Sequence, residues 1–349
     1  MDLGAAVVNL ADKLRGGVAD LRRMPRDVVA EAGAVLHRYR PTTGAPGVGG
    51  APVLLIPPLG APDFAYDLRR GCSLVEHLLA EGRTVYLVDY GAIRFAERGH
   101  GMEHWVDEVV PWAVREAVEH AGSADLHLLG WSLGGIFSML AVAAAAATGE
   151  PLPVASLTVI GSPVDISAVP LVAPLRPRAA ATGGRGLSLI YQAIGSFPAP
   201  LVRAAFQLTA VDRLVTKPLT LLSRLDDRDC LAQIEAVDHM MNNMHGYPGR
   251  VFGQLYHLLL RSNDLSDGRL ALAGRSIPLG AIDVPVLVVA GRTDVIAPMA
   301  AVQKVVELLT GASKVRFETA PGGHLGVLTG RGARTTTWFH LDTFLTDHG

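Results

Sequence analysis

The sequence is short of cysteine, of lysine and of any surplus charge. Its 349 residues hold two cysteines, Cys72 and Cys230, far apart and in no metal-ligand spacing. That excludes a disulfide framework and a cysteine zinc site, and it fits a reducing, cytoplasmic compartment. Net charge is −2, which leaves no basic field for nucleic acid and no acidic tail. Only four of the 31 basic residues are lysine, at 13, 217, 304 and 314. No basic N-terminal stretch precedes an apolar core and a cleavage site, so no signal peptide is expected. The longest run of small apolar residues, GIFSMLAVAAAAA (135–147), is shorter than the roughly 20 residues of a membrane span. No Walker loop, G-x-G-x-x-G fingerprint or zinc spacing occurs, so neither a cofactor nor a metal is expected. What remains is a composition 49% hydrophobic and 18% charged. That describes a folded chain with a large core, long enough for one α/β domain with an insertion.

Along the chain, residues 3–38 show helical periodicity, with Leu10, Leu14, Val18 and Leu21 three or four apart. A Pro/Gly stretch, PTTGAPGVGGAP (41–52), follows as a linker. Residues 1–48 therefore read as an amphipathic helical arm. It either packs on the domain surface or lies on a lipid or granule surface. Beyond the linker, buried strands are expected at 53–57, 85–89, 126–130, 156–161 and 284–291, with a more polar one at 314–320. Near-continuous Val/Ile/Leu runs suit a parallel sheet covered on both faces. Helices are expected at 73–82 and 102–122, the second kinked at Pro111. The alternation gives a doubly wound α/β core in two parts, 49–166 and 281–349. Between them, 167–280 loses the strand rhythm and reads as an inserted helical cap.

The chemistry concentrates in LHLLGWSLGGIFSML (126–140). Strand, tight turn and helix follow one another, and the turn is G-x-S-x-G, a nucleophile elbow that would lift the Ser132 hydroxyl above the sheet. Small residues at 130 and 134 would let strand and helix approach closely. The helix N-terminus and the Leu133 N–H would face a developing oxyanion. A serine needs a base and the base needs an orienting acid, in the chain order Ser, acid, His. Of 12 histidines, His324 in TAPGGHLG follows the last strand and suits the base. For the acid, Asp294 in GRTDVIAP is favoured over Asp165 in GSPVD; Asp89 reads as structural. The second oxyanion donor belongs to IPPLGAPDF (56–64). Pro57 and Pro58 have no N–H, so Leu59 is first choice and Gly60 second. His239, His245 and His257 fall in the cap as surface or core residues. Arg331 and Arg334 in GRGARTTTWF make either a phosphate site or a solvated face.

Three longer stretches carry a resemblance. PPLGAPDFAYDLRRGCSLVEHLLAEGRTVYLVDYG, LYHLLLRSNDLSDGRLALAGRSIPLGAIDVPVLVVAGRTDVIAP and PGGHLGVLTGRGARTTTWFHLDTFL are similar to polyhydroxyalkanoate (PHA) synthases, over roughly 50–345. The resemblance implies an α/β-hydrolase core with a cap, and acyl transfer from acyl-CoA or an acyl ester. It places nucleophile, acid and base on Ser132, Asp294 and His324. PHA synthases use cysteine in the elbow, whereas this chain has serine. A thiolate exchanges acyl groups readily, while serine backed by His and Asp suits ester hydrolysis.

The leading expectation is therefore a serine hydrolase acting on a lipid-like acyl ester or thioester. The alternatives are a PHA synthase-like acyltransferase using acyl-CoA, and a non-catalytic lipid- or granule-associated scaffold. Partners expected are the acyl substrate, no nucleic acid, a lipid or granule surface through the arm, and an oligomer.

Overall fold

The computed structural model describes residues 2–41, 50–93, 95–170, 196–208 and 219–349. Its strands are β1 (Arg26–Glu31), β2 (Val35–Tyr39), β3 (Val53–Ile56), β4 (Val85–Asp89), β5 (Leu126–Trp131), β6 (Val154–Ile160), β7 (Ser196–Phe197), β8 (Tyr247–Pro248), β9 (Arg269–Leu272), β10 (Arg275–Pro278), β11 (Val286–Gly291) and β12 (Val315–Ala320). Eight form one sheet in the order β1-β2-β4-β3-β5-β6-β11-β12. From β4 to β12 every neighbour is parallel, while β1–β2 and β2–β4 are antiparallel. The main helices are α1 (Leu3–Arg15), α2 (Leu74–Ala80), α3 (Val110–Ala121), α4 (Leu133–Ala147), α5 (Ala199–Leu208), α6 (Arg228–Asn242), α7 (Gly249–Gln254) and α8 (Thr337–Asp347).

The period-two geometry of strands divides the apolar runs between two faces. Leu54 and Ile56 of β3, and Val286 and Val288 of β11, pack in one cluster with α3 and α4 residues such as Val110 and Phe137. Val53, Leu55, Leu287 and Val289 face the other way, toward Leu74 and Leu78 of α2 and Leu341 and Phe344 of α8. Both faces are covered, which is why these strands carry no polar alternation. The fold is the α/β-hydrolase architecture.

Three expectations need correction. First, the arm is helical only over α1. Gly16 and Gly17, both with positive φ, end the helix, and Pro25 follows. Residues 26–39, read as helix, instead form the β1–β2 hairpin, turning at Gly33 (φ 73°) and extending the sheet beside β4. The periodicity over 3–38 therefore spanned two kinds of element, and β-branched Val28, Val29 and Val35 favoured the strand form. Of the linker, 42–49 lies outside the described residues.

Second, the helix expected over 102–122 is not uniform: residues 104–109 form a π-helical turn that runs on without a break into α3, and this irregularity falls immediately before Pro111, which has no N–H for a regular helical ladder.

Third, the interval 167–280 is not helical throughout. Residues 171–195 and 209–218 lie outside the described residues, and α5, α6 and α7 are helical. Leu265 to Ile282, however, form a short turn and the β9–β10 hairpin, whose Ala273–Gly274 turn has positive φ at both positions. Leu270, Leu272, Ile277 and Leu279 insert into the same cluster as α4. This hairpin packs with the core, and its alternating burial is a strand signal that the length of the interval concealed.

Candidate active site

The elbow is built by close approach. Ser132 has φ 54° and ψ −125°, a conformation that L residues rarely adopt. Its N–H donates to the Ile160 carbonyl (2.8 Å), and its own carbonyl accepts from Gly135 N–H (3.0 Å), so the turn is held from both sides. A Cβ on Gly130 would lie 2.5 Å from Gly135 Cα, and one on Gly134 would lie 2.1 Å from the Ile56 carbonyl oxygen. No side chain fits either space. A Cβ on Gly135 would meet Ser162 Oγ at 2.1 Å, so a side chain there must turn that hydroxyl aside, a constraint the five-residue motif does not include.

His324 follows β12 and Asp294 follows β11, neighbouring strands whose ends bring the two loops together. His324 Nε2 lies 2.8 Å from Ser132 Oγ, and His324 Nδ1 lies 2.8 Å from Asp294 Oδ2. Asp294 is 5% exposed and His324 8%. The other Asp294 oxygen accepts the Ile296 and Ala297 N–H groups, both at 2.9 Å. The carboxylate is thus compensated in its buried place, with one oxygen left for the imidazole. Asp165 is placed elsewhere. Its carboxylate caps the turn at Ile166–Ala168 and accepts from Asn263 Nδ2 (2.8 Å). Asp89 accepts from Gly91 N–H and lies 3.8 Å from Arg26, joining β4 to the hairpin.

The loop carrying Leu59 is pressed against the elbow through the Gly134 contacts with Ile56 and Pro57. Among the described residues the N–H groups of Leu133 and Leu59 donate no hydrogen bond. The loop is pinned from below by the Tyr66 hydroxyl, which donates to the Ile56 carbonyl (2.9 Å). From the cap, His245 N–H donates to the Gly60 carbonyl (3.0 Å). The Tyr247 hydroxyl sits so close to Gly60 that a Cβ there would approach it to 2.7 Å. Burial pushes that hydroxyl up to about 12, so it stays neutral at physiological pH.

The remaining cap histidines lie elsewhere: His239 sits tilted beside Phe64 (5.1 Å between ring centroids) and His257 meets Tyr256 edge to face (5.0 Å). Arg331 and Arg334 are 43% and 34% exposed, so they keep a solvated side while pairing with carboxylates. Arg331 pairs with Asp227 (2.8 Å), and Arg334 with Asp229 (2.8 Å), at the start of α6. The buried Arg69 joins Asp229 at 2.7 Å. This network fastens the cap to the segment that follows His324.

Two residues at the site escaped the sequence reading. Trp131, inside the elbow motif, donates its indole N–H to the His324 carbonyl (3.0 Å) and tilts over the imidazole at 5.3 Å. Gly161 (φ 57°) ends β6 beside His324 Nδ1 and Asp294. Their signals were the bulky residue at a motif position usually treated as free, and the glycine directly after a buried strand.

Comparison with known proteins agrees with this architecture. Residues 51–181 match the family model of the alpha/beta hydrolase fold. A poly(3-hydroxyalkanoate) polymerase subunit from Allochromatium vinosum is 25% identical over 338 residues, 96% of this chain and 91% of that one. The corresponding subunit from Cupriavidus necator is 26% identical and covers 93% of this chain, but only 56% of its own length is matched. A carboxylesterase structure from the thaumarchaeon Nitrososphaera gargenis superimposes with a TM-score of 0.51 at 15% identity, over 93% of this chain and 99% of that one, which speaks to the fold alone. The chain therefore has the α/β-hydrolase fold and is PHA synthase-like over nearly its whole length, with a serine at the elbow.

Proposed function

We propose that the protein is a PHA synthase-like acyltransferase that carries its acyl group as an ester on Ser132. One observation carries the reading. An unbroken hydrogen-bonded chain runs from Ser132 through His324 to Asp294, in a sequence aligned with PHA polymerases over 96% of its length.

Ser132 Oγ attacks the carbonyl of an acyl-CoA or acyl ester as His324 Nε2 takes its proton. Asp294 orients the imidazole and stabilises its charged form. The N–H groups of Leu133 and Leu59 receive the negative charge on the carbonyl oxygen. His324 then protonates the departing thiolate or alkoxide. In the second half, a hydroxyl of an acceptor gives its proton to His324 and attacks the Ser132 ester, releasing the lengthened ester and the free serine.

The serine itself supports a second reading, in which water takes the place of the acceptor and the product is a free acid. The two share every step up to the acyl-enzyme and differ in what reaches it behind the cap. Product analysis separates them. With a 3-hydroxyacyl-CoA, transfer yields CoA together with hydroxyacyl oligomers and little free acid. Free acid equal to the CoA released would assign hydrolysis, and no turnover by wild type of either acyl-CoA or acyl esters would remove both readings.

A further inference from the structure

The loop that carries Leu59 is held from the cap by a side chain outside the Ser132–His324–Asp294 chain. Ala61 N–H donates to the Pro58 carbonyl (3.1 Å), so residues 58–61 form a β-turn with Leu59 and Gly60 at its tip. Both backbone groups of Gly60 are engaged by the cap. Its carbonyl accepts from His245 N–H (3.0 Å). Burial raises the Tyr247 hydroxyl, and a hydrogen bond from the Gly60 backbone opposes that rise. Gly60 is not at positive φ, so its conformation does not require glycine. The space around it does. A Cβ there would come to 2.7 Å from the Tyr247 oxygen, 3.1 Å from Tyr247 Cζ and 3.4 Å from Val202 Cγ1. Tyr247 is itself well anchored. Its ring packs on the core cluster that contains Ile56, Leu59 and Leu133. α7 follows directly, with Val251 fully buried and Gln254 accepting the Met102 N–H (2.6 Å).

We propose that Tyr247 is a positioning residue of the oxyanion hole: its hydroxyl holds the Gly60 N–H and so aims the neighbouring Leu59 N–H at the acyl carbonyl oxygen. The proposal rests on the acyl-enzyme reading, in which Leu59 is a donor. Pro57 and Pro58 fix the entry to the turn, but a tip that ends in glycine moves easily unless something outside the loop restrains it. Tyr247 and His245 supply that restraint from the cap, as Tyr66 does from below. Among the described residues the Leu59 N–H donates to no protein group, while the Gly60 N–H is engaged by Tyr247. The turn therefore offers substrate the Leu59 N–H and keeps that of Gly60 for its own support. An oxyanion donor helps most when it is aimed before the reaction, because turning it during the reaction costs part of what the bond returns. Tyr247 acts through Gly60 and needs no contact with the reacting atoms.

Amide hydrogen exchange of the full-length, unliganded protein tests the hold. Tyr247→Phe keeps the ring and removes the oxygen. Exchange at Gly60 is expected to rise roughly tenfold or more, with the amides of β11 unchanged. Kinetics with acyl nitrophenyl esters test its use. In Tyr247→Phe, kcat is expected to fall about tenfold with KM within about twofold, less than the roughly 10²-fold or more that loss of an oxyanion donor itself costs. An aryl trifluoromethyl ketone, whose adduct with Ser132 carries a negative oxygen, is expected to bind about tenfold more weakly. Gly60→Ala is expected to lower kcat, and Tyr247→Phe to restore part of that loss by reopening the space. Unchanged exchange at Gly60 overturns the proposal. So does a raised KM at constant kcat, which would place Tyr247 against substrate, and so do additive effects of the two substitutions. A failure of this kind leaves wild-type turnover intact. A wild type that turns over no ester and forms no adduct instead removes the acyl-enzyme reading, and this role with it, whatever the exchange at Gly60.

Discussion

A serine hydroxyl at neutral pH is a weak nucleophile until a base stands ready for its proton, and His324 Nε2 stands 2.8 Å from Ser132 Oγ. Ser132→Ala removes the attacking atom and is expected to lower turnover of nitrophenyl esters by about 10³-fold or more, leaving the fold intact. Ser132→Cys tests the family difference. A thioester acyl-enzyme exchanges readily with hydroxyl acceptors, so this variant is expected to raise the ratio of transfer to hydrolysis products from acyl-CoA. An unchanged ratio would show that the cap, not the nucleophile, sets that partition. Trp131 touches His324, and its effect on turnover is expected to pass through that contact. Trp131→Phe keeps the ring and leaves a buried carbonyl without its donor, a loss of about 1–3 kcal/mol. The expected readout is a several-fold fall in kcat with KM nearly constant, whereas a parallel change in both would assign Trp131 to substrate binding.

The elbow shows how closely two elements can be made to meet. At Gly134 a methyl group would collide with the backbone of the loop that carries Leu59. Gly134→Ala must therefore displace that loop, and it is expected to abolish most activity while costing about 1–3 kcal/mol of stability by overpacking. Full activity in a folded Gly134→Ala protein would disprove the close approach. The cap is fastened by charge as well. Asp229 joins Arg69 and Arg334, so Asp229→Asn leaves the buried guanidinium of Arg69 without its carboxylate. Because Asp229 is 40% exposed, the expected loss is only about 1–2 kcal/mol, seen as a lowered Tm. A Tm equal to wild type would show the pairs to be incidental. Elements whose pattern is local were legible in the sequence. The elbow, β3, β5 and β11 declare themselves through glycine spacing and continuous apolar runs. The β1–β2 and β9–β10 hairpins did not, because each is held by a distant partner: β4 for the first, α4 for the second.

Across the whole molecule, the sequence located the three members of the hydrogen-bonded chain but not what positions them. Ser132, Asp294 and His324 each follow a strand, so order along the chain was enough to find them. The hold of Trp131 on His324, and of the His245 N–H on the Leu59 loop, joins residues 193 and 185 positions apart in the chain, a relation no local pattern encodes. Stability carries its own titration. Burial, aided by Arg83 and His348, pushes His127 down to about 4. Above the ordinary value of 6.5 the ring is neutral both folded and unfolded. As pH falls from 6.5 toward 4 the unfolded chain takes up a proton that the folded one does not, and stability is lost through that window, by up to about 3 kcal/mol. His127→Gln is expected to flatten that part of the urea-midpoint profile, and an unaltered slope would place the titration on another group.

The reaction we propose rests on an ester of Ser132, and intact-mass spectrometry after rapid quench with an acyl-CoA or acyl nitrophenyl ester would observe it. The expected result is a mass gain of one acyl group, mapped to the peptide containing Ser132 and absent from Ser132→Ala. Turnover that persists in Ser132→Ala, with no adduct on wild type, would mean that the acyl group never resides on this serine.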